Sequence, residues 1–205
     1  MYFGCLNKSD YICNYNKFVY TMIKFHDVKT TDRELVQSYT LCSDRQNCDL
    51  RFANIISWRF LYNTQIAEVD GFLVFRFYIG HHLAYMAPVW KGEWNELMSE
   101  LFAKVVRQMR DDSITLGHPF LMLGVCTNMV EILESIFPDT FYIKPDRDYF
   151  DYIYTREKLA TLAGKKLQSK RNHCNRFRKT YPNYEYRPLT KDMIPECLAV
   201  EANWR

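Results

Sequence analysis

Glycine and proline are scarce, seven of each in 205 residues. That excludes collagen-like repeats, low-complexity linkers and wholesale disorder. The cysteines number seven, an odd count, and no two form a CxxC pair. A disulfide framework and a zinc ribbon are both disfavoured. Cys42 and Cys48 resemble half a metal site, but no second pair of ligands has suitable spacing. No uncharged apolar run reaches the roughly 18–20 residues of a membrane-spanning helix. The longest candidate, Leu116 to Val130, is broken by His118, Pro119 and Gly124. The first 21 residues do not read as a secretory leader, because Lys8, Asp10 and Lys17 interrupt any apolar core. Reduced cysteines in a cytoplasmic protein are the expectation.

What is present suits a folded domain. Apolar residues make up 48%, charged residues 25% and aromatics 16%, a composition able to bury a core. The length corresponds to about one and a half domains. Ile23 to Val28 alternates as a strand, with Thr30-Thr31-Asp32 as a helix cap after it. Met22 therefore reads as the natural start and residues 1–21 as an appendage. Residues 49–63 read as a helix with Leu50, Ala53, Ile56, Phe60 and Leu61 near one face. Strands follow at 65–70, 72–79 and 82–89, with Asp70-Gly71 and Gly80-His81 as turns. Residues 93–110 carry a full apolar stripe: Trp94, Leu97, Met98, Leu101, Phe102, Val105, Val106 and Met109. A buried strand at 120–125, a helix from Thr127 to Phe137, and strands at 141–144 and 149–154 complete a unit over 22–155. The meander predicts antiparallel pairing and the later strand-helix-strand step predicts a parallel pair. The fold class is α/β with a mixed sheet.

Residues 156–182 differ in character. Between Gly164 and Tyr181 lie seven basic residues and no acid: Lys165, Lys166, Lys170, Arg171, Arg176, Arg178 and Lys179. Without them the chain has 20 basic against 24 acidic residues, so its net +3 becomes −4. Two readings of this linker helix stand. One is a solvated inter-domain helix packed through Leu167, Cys174, Phe177 and Tyr181. The other is a surface that contacts phosphate, with Asn172 and His173 interleaved among the cations. From 183 to 205 the opening pattern returns: Tyr184 to Leu189 as a strand, Thr190-Lys191-Asp192 as a cap, then a helical pattern. This reads as a second copy cut off after its first helix, too small to bury a core alone. Tyr186, Leu198 and Trp204 would then cover no sheet, so this segment is expected to self-associate or to lack order.

The order of elements resembles the acyl-CoA N-acyltransferase fold of the GNAT superfamily. The local sequence is more specific: Ser43-Asp44-Arg45-Gln46-Asn47-Cys48-Asp49-Leu50, Phe52-Ala53-Asn54, Trp58-Arg59-Phe60, Gly117-His118-Pro119-Phe120 and Lys170-Arg171-Asn172-His173. These resemble the bacterial family that shares the phosphatidylglycerol lysyltransferase C-terminal domain, over residues 22 to 205. Its soluble members were long labelled a domain of unknown function. The resemblance implies two tandem GNAT-like units and a kinship with Fem-type aminoacyltransferases. Aminoacyl-tRNA or acyl-CoA is the implied donor and an amine or hydroxyl the acceptor. It further implies a transfer site mainly in the second unit, whose catalytic half this chain lacks. Such transfer needs alignment and fixed oxyanion donors more than reactive side chains, and a basic surface to hold tRNA or an anionic lipid headgroup.

Lys165, Lys166, Lys170, Arg171, Asn172, His173 and Arg176 are accordingly the candidate substrate or polyanion-binding residues. The competing class is a non-catalytic binding module for such polyanions, and a third reading is a truncated product without activity of its own. A second candidate is the loop from Pro88 to Trp94, where GNAT enzymes bind the coenzyme A pyrophosphate. Only Gly92 is available there and Glu93 repels phosphate, so the loop reads as an ordinary cap with Glu93 complementing the helix dipole. His81 and His82 point to opposite faces. Asp146, Asp148 and Asp151 form an acidic cluster, read with little weight as a metal site. Arg45 and Asp49 are expected to form an ion pair.

Overall fold

The computed structural model describes residues 2–6, 22–43, 45 and 47–204. Most of the supposed appendage, with Asp44 and Gln46 of the quoted motif, lies outside the described residues. Contacts divide the chain into two units, Met1–Tyr152 and Ile153–Arg205.

The first unit is built on one mixed sheet. In chain order its strands are β1 (Tyr2–Leu6), β2 (His26–Asp27), β3 (Gln65–Val69), β4 (Phe72–Ile79), β5 (His82–Met86), β6 (Val89–Trp90), β7 (Leu121–Val125) and β8 (Phe141–Pro145). Their spatial order is β2-β3-β4-β5-β7-β1-β8, with β6 on β4. The β3-β4-β5 meander is antiparallel and β5 runs parallel to β7, as the alternation and the crossover helix predict. Asp70 and Gly71 both have positive φ, 47° and 81°, the geometry of the tight hairpin turn that matches strand twist. The register of β1 on β7 passes from Tyr2↔Val125 to Gly4↔Met122. The extra β7 residue is taken up around Gly124 at φ 72°, a bulge position that glycine tolerates without strain.

Helices cover both faces. They are α1 (Arg33–Thr40), α2 (Phe52–Tyr62), α3 (Glu96–Thr115) and α4 (Thr127–Ile136). Strand β4 is apolar on both sides, so its side chains alternate between two cores. Phe72 and Val74 join Phe102, Met109 and Met129 from α3 and α4. Leu73 and Phe75 join Val36, Tyr39 and Ile55 from α1 and α2.

Several sequence expectations need correction. Residues 82–89 form two strands, because Ala87 and Pro88 break the ladder before β6. Residues 149–154 form no strand: Asp146 accepts from the Asp148 N–H at 3.1 Å and turns the chain into a 3₁₀ turn over Arg147–Tyr149. Residues 184–189 form no strand either, since no described neighbour offers a ladder and a lone strand leaves its backbone groups unpaired. On α2 the buried side chain is Ile55, while Phe60 and Leu61 face outward. Leu97, assigned to the α3 stripe, is exposed. A strand at 2–6 was not expected.

The second unit holds α5 (Arg156–Thr161), a 3₁₀ turn over Lys165–Leu167, α6 (Gln168–Thr180) and α7 (Ile194–Ala202). None of its described residues is buried.

Candidate functional site

Strands β5 and β7 pair only through Tyr85↔Met122 and Met86↔Leu123. Beyond that they part, β5 toward Ala87 and Pro88, β7 toward Cys126 at the start of α4. In open α/β sheets the crevice outside the carboxyl ends of parallel strands is where ligands settle. Arg45 reaches the backbone just beyond the end of β5. Its Nη1 donates to the Ala87 carbonyl at 2.7 Å and its Nη2 to the Pro88 carbonyl. Its guanidinium lies 5.4 Å from the Trp90 ring, and Nε finds no partner among the described residues. Burial lowers its pKa to about 10, which still leaves it charged at neutral pH. The expected pairing with Asp49 is absent: Arg45 is drawn to carbonyls that the parting strands leave without a ladder partner.

The loop from Pro88 to Trp94 is partly strand, with Phe72↔Trp90 and Leu73↔Val89 in register. The Trp90 and Trp94 rings pack 4.6 Å apart, tilted by 60°. Helix α3 starts later than expected. Asn95 is its cap, accepting from the Met98 N–H at 2.9 Å, and Glu96 stands in its first turn. The cap is therefore Asn95, and the dipole complement expected of Glu93 falls to Glu96.

A cavity of about 220 Å³ opens between α2 and the sheet. Its floor is Phe75, Phe77, Met86 and Leu123, its walls include Trp58 and Tyr62, and Asp49 is its one charged lining residue among the described residues. Beside it, Asp151 clasps Cys48, accepting from the thiol and from the backbone N–H, each at 3.0 Å. Asn47 accepts from the Asp49 N–H at 2.8 Å, and Asn54 donates to the Cys48 carbonyl at 3.0 Å. The hydrogen bond to Asp151, then burial, pushes the Cys48 thiol up to about 12. It stays protonated at neutral pH, a poor nucleophile and metal ligand. Burial, then the neighbouring Asp151 charge, raises the Asp49 carboxyl. Among the described residues no three His, Cys, Asp or Glu side chains are grouped to hold a metal. Asp146, Asp148 and Asp151 instead serve as cap, turn and clasp. The Cys48–Asp151 clasp escaped sequence reasoning because 103 positions separate the two residues.

In the second unit Lys165, Lys166, Lys170, Asn172, His173 and Arg176 are exposed. None of these cations has an acidic partner among the described residues. Arg171 is half-buried and donates to the carbonyls of Leu162 and, at 2.8 Å, Gly164. Arg176 lies 3.4 Å from Nδ1 of His173. Leu167 and Cys174 are half-buried, while Phe177 and Tyr181 are exposed, their rings 5.2 Å apart and tilted by 47°. No acid stands in the first turn of α6 and no side chain caps it.

Comparison with known proteins supplies the remaining observations. A family model described as phosphatidylglycerol lysyltransferase, C-terminal, matches residues 42–205. A crystal structure of a conserved protein of unknown function from Bacteroides thetaiotaomicron VPI-5482 is similar, with 52% identity and a TM-score of 0.76. The match covers 89% of this chain and 59% of that one. No curated protein matches. No described helix is long and apolar enough to cross a membrane.

Proposed function

The chain belongs to the phosphatidylglycerol lysyltransferase C-terminal family, and from that premise we propose that it forms the GNAT-like first unit, with the start of a second, of an acyl- or aminoacyltransferase. The donor is aminoacyl-tRNA or acyl-CoA and the acceptor an amine or hydroxyl. The family match over 42–205 carries the reading. The antiparallel meander passing into a parallel β5–β7 pair agrees with a GNAT-like sheet. The chain spans 59% of the length of its solved relative, and the proposed place of the transfer site is a second unit in a protein of that greater length.

Two observations support a division of labour. Arg45 already pairs the carbonyls at the parting strands, so this unit offers a donor little backbone there. The cations around α6 lack acidic partners among the described residues, and a helix start without a side-chain cap favours an anion. The proposed role of Lys165, Lys166, Lys170 and Arg176 is to hold the phosphates of tRNA or an anionic headgroup.

The test measures tRNA binding to the chain and to a variant with these four residues changed to glutamine. Arg171 is left intact because it ties Leu162 and Gly164. Losing about four phosphate contacts should flatten the salt dependence by roughly 3–4 in log–log slope. An unchanged slope would refute the role of the basic segment. Transfer is then assayed on the longer Bacteroides relative with aminoacyl-tRNA and acyl-CoA donors. Binding without transfer from either donor would favour the reading of a non-catalytic polyanion module.

A further inference from the structure

The cavity under α2 has features that the transfer reading does not use. Its floor is apolar and comes from three strands, β4, β5 and β7. Among its lining residues Trp58 and Tyr62 stand with ring centroids 6.4 Å apart. Its one charged lining residue among the described residues is a carboxylate, Asp49. Behind Asp49, across the Cys48 thiol, stands the second carboxylate, Asp151. Neither Asp49 nor Asp151 forms an ion pair with a described Lys, Arg or His. Two neighbouring carboxylates without a cation repel one another, although both reach the surface. A bound cation would offset that repulsion, and the aromatic rings that line the cavity add a further attraction for it. An anionic ligand would meet the same carboxylates, and a neutral one would leave them unpaired.

We infer that this cavity is a binding site for a small organic ammonium, its apolar body on the floor formed by Phe77, Met86 and Leu123 and its charged nitrogen at Asp49. At about 220 Å³ the space lies below the roughly 300–1,000 Å³ of pockets for drug-sized ligands, so the body is no larger than a single ring or short alkyl chain. The inference stands on the cavity and its carboxylate, independently of whether the chain takes part in acyl transfer.

The experiment titrates the whole chain with phenethylamine, 2-phenylethanol and phenylalanine, following heat and methyl chemical shifts. The alcohol keeps the body and removes the charge; phenylalanine keeps both and adds a carboxylate. The amine should bind at least about tenfold more tightly than either comparison ligand. Asp49→Asn should erase its advantage over the alcohol. Ile79→Trp, at a cavity wall on β4, should abolish amine binding. The melting temperature of each variant establishes that it is folded. Should Ile79→Trp not fold, shifts of the Ile55 and Leu123 methyls in the unmodified chain decide in its place. Absence of amine binding at millimolar concentration overturns the inference. So does equal affinity for amine and alcohol, an undiminished preference in Asp49→Asn, or binding that leaves those methyls unmoved.

Discussion

Asp112 of α3 joins the sheet to the helix that covers it. Its two carboxylate oxygens accept from Nη1 of Arg76 at 3.0 and 2.8 Å, and Oδ2 also accepts from the Tyr85 hydroxyl at 2.5 Å. Arg76 donates further to Oε1 of Gln65 and lies 4.1 Å from the Phe25 ring. Burial, then the Asp112 hydrogen bond, raises the pKa of Tyr85 and keeps its hydroxyl a donor. Removing Asp112 would leave a largely buried guanidinium without its counter-charge and a buried hydroxyl without its acceptor. Asp112→Ala should therefore cost about 3–5 kcal/mol of stability, read from urea unfolding. A loss below about 1 kcal/mol would mean that water replaces the carboxylate, as at an exposed pair. Sequence reasoning could see that Arg76 interrupts an apolar strand, and hence that something must pair with it. It could not name Asp112, because 36 positions of chain and a helix crossing lie between them. Arg45 teaches the same lesson: its place in the motif was legible, but its acceptors are backbone carbonyls that no residue type advertises.

Elements were legible in proportion to the contrast between their faces. Strand β4 and the helices α3 and α4 announce themselves by long apolar periods, and the Asp70-Gly71 turn by its dipeptide. Helix α2 carries apolar residues all round, so its period could not say that Ile55 rather than Phe60 points inward. The alternation at 149–154 and 184–189 was real but insufficient, since a strand exists only where another strand completes its ladder. The start of α3 was displaced because Glu93 and Trp94 continue the helical pattern backward. The cap itself decides the boundary: Asn95 is extended and its side chain accepts from the Met98 N–H. Asn95→Ala should destabilise the fold by about 1 kcal/mol, whereas Asn95→Asp should be nearly neutral. Thermal unfolding of the two variants checks both expectations. Equal losses would show that the side-chain NH2 of Asn95, rather than its acceptor role toward the Met98 N–H, matters.

At the scale of the whole molecule stability is distributed unequally. All the buried residues of the described chain belong to Met1–Tyr152, and none to Ile153–Arg205. Helices shorter than about 12–15 residues are marginal in water without tertiary packing. At 13 residues α6 sits at that margin, and α7, at nine, lies below it. Leu198 and Trp204 are exposed, as is Tyr186 before α7. Local opening free energies follow such differences in burial. Amide hydrogen exchange on the whole chain should thus find β4, β5 and α3 exchanging only through global unfolding. The amides of α6 and α7 should exchange at least about a hundredfold faster. Protection of α7 that rises with protein concentration would instead show a second copy seated on its apolar residues. Protection of α6 that rises on adding tRNA would show the polyanion completing that helix. Protection of either helix equal to that of α3, at every concentration and without tRNA, would contradict the assignment of stability to the first unit alone.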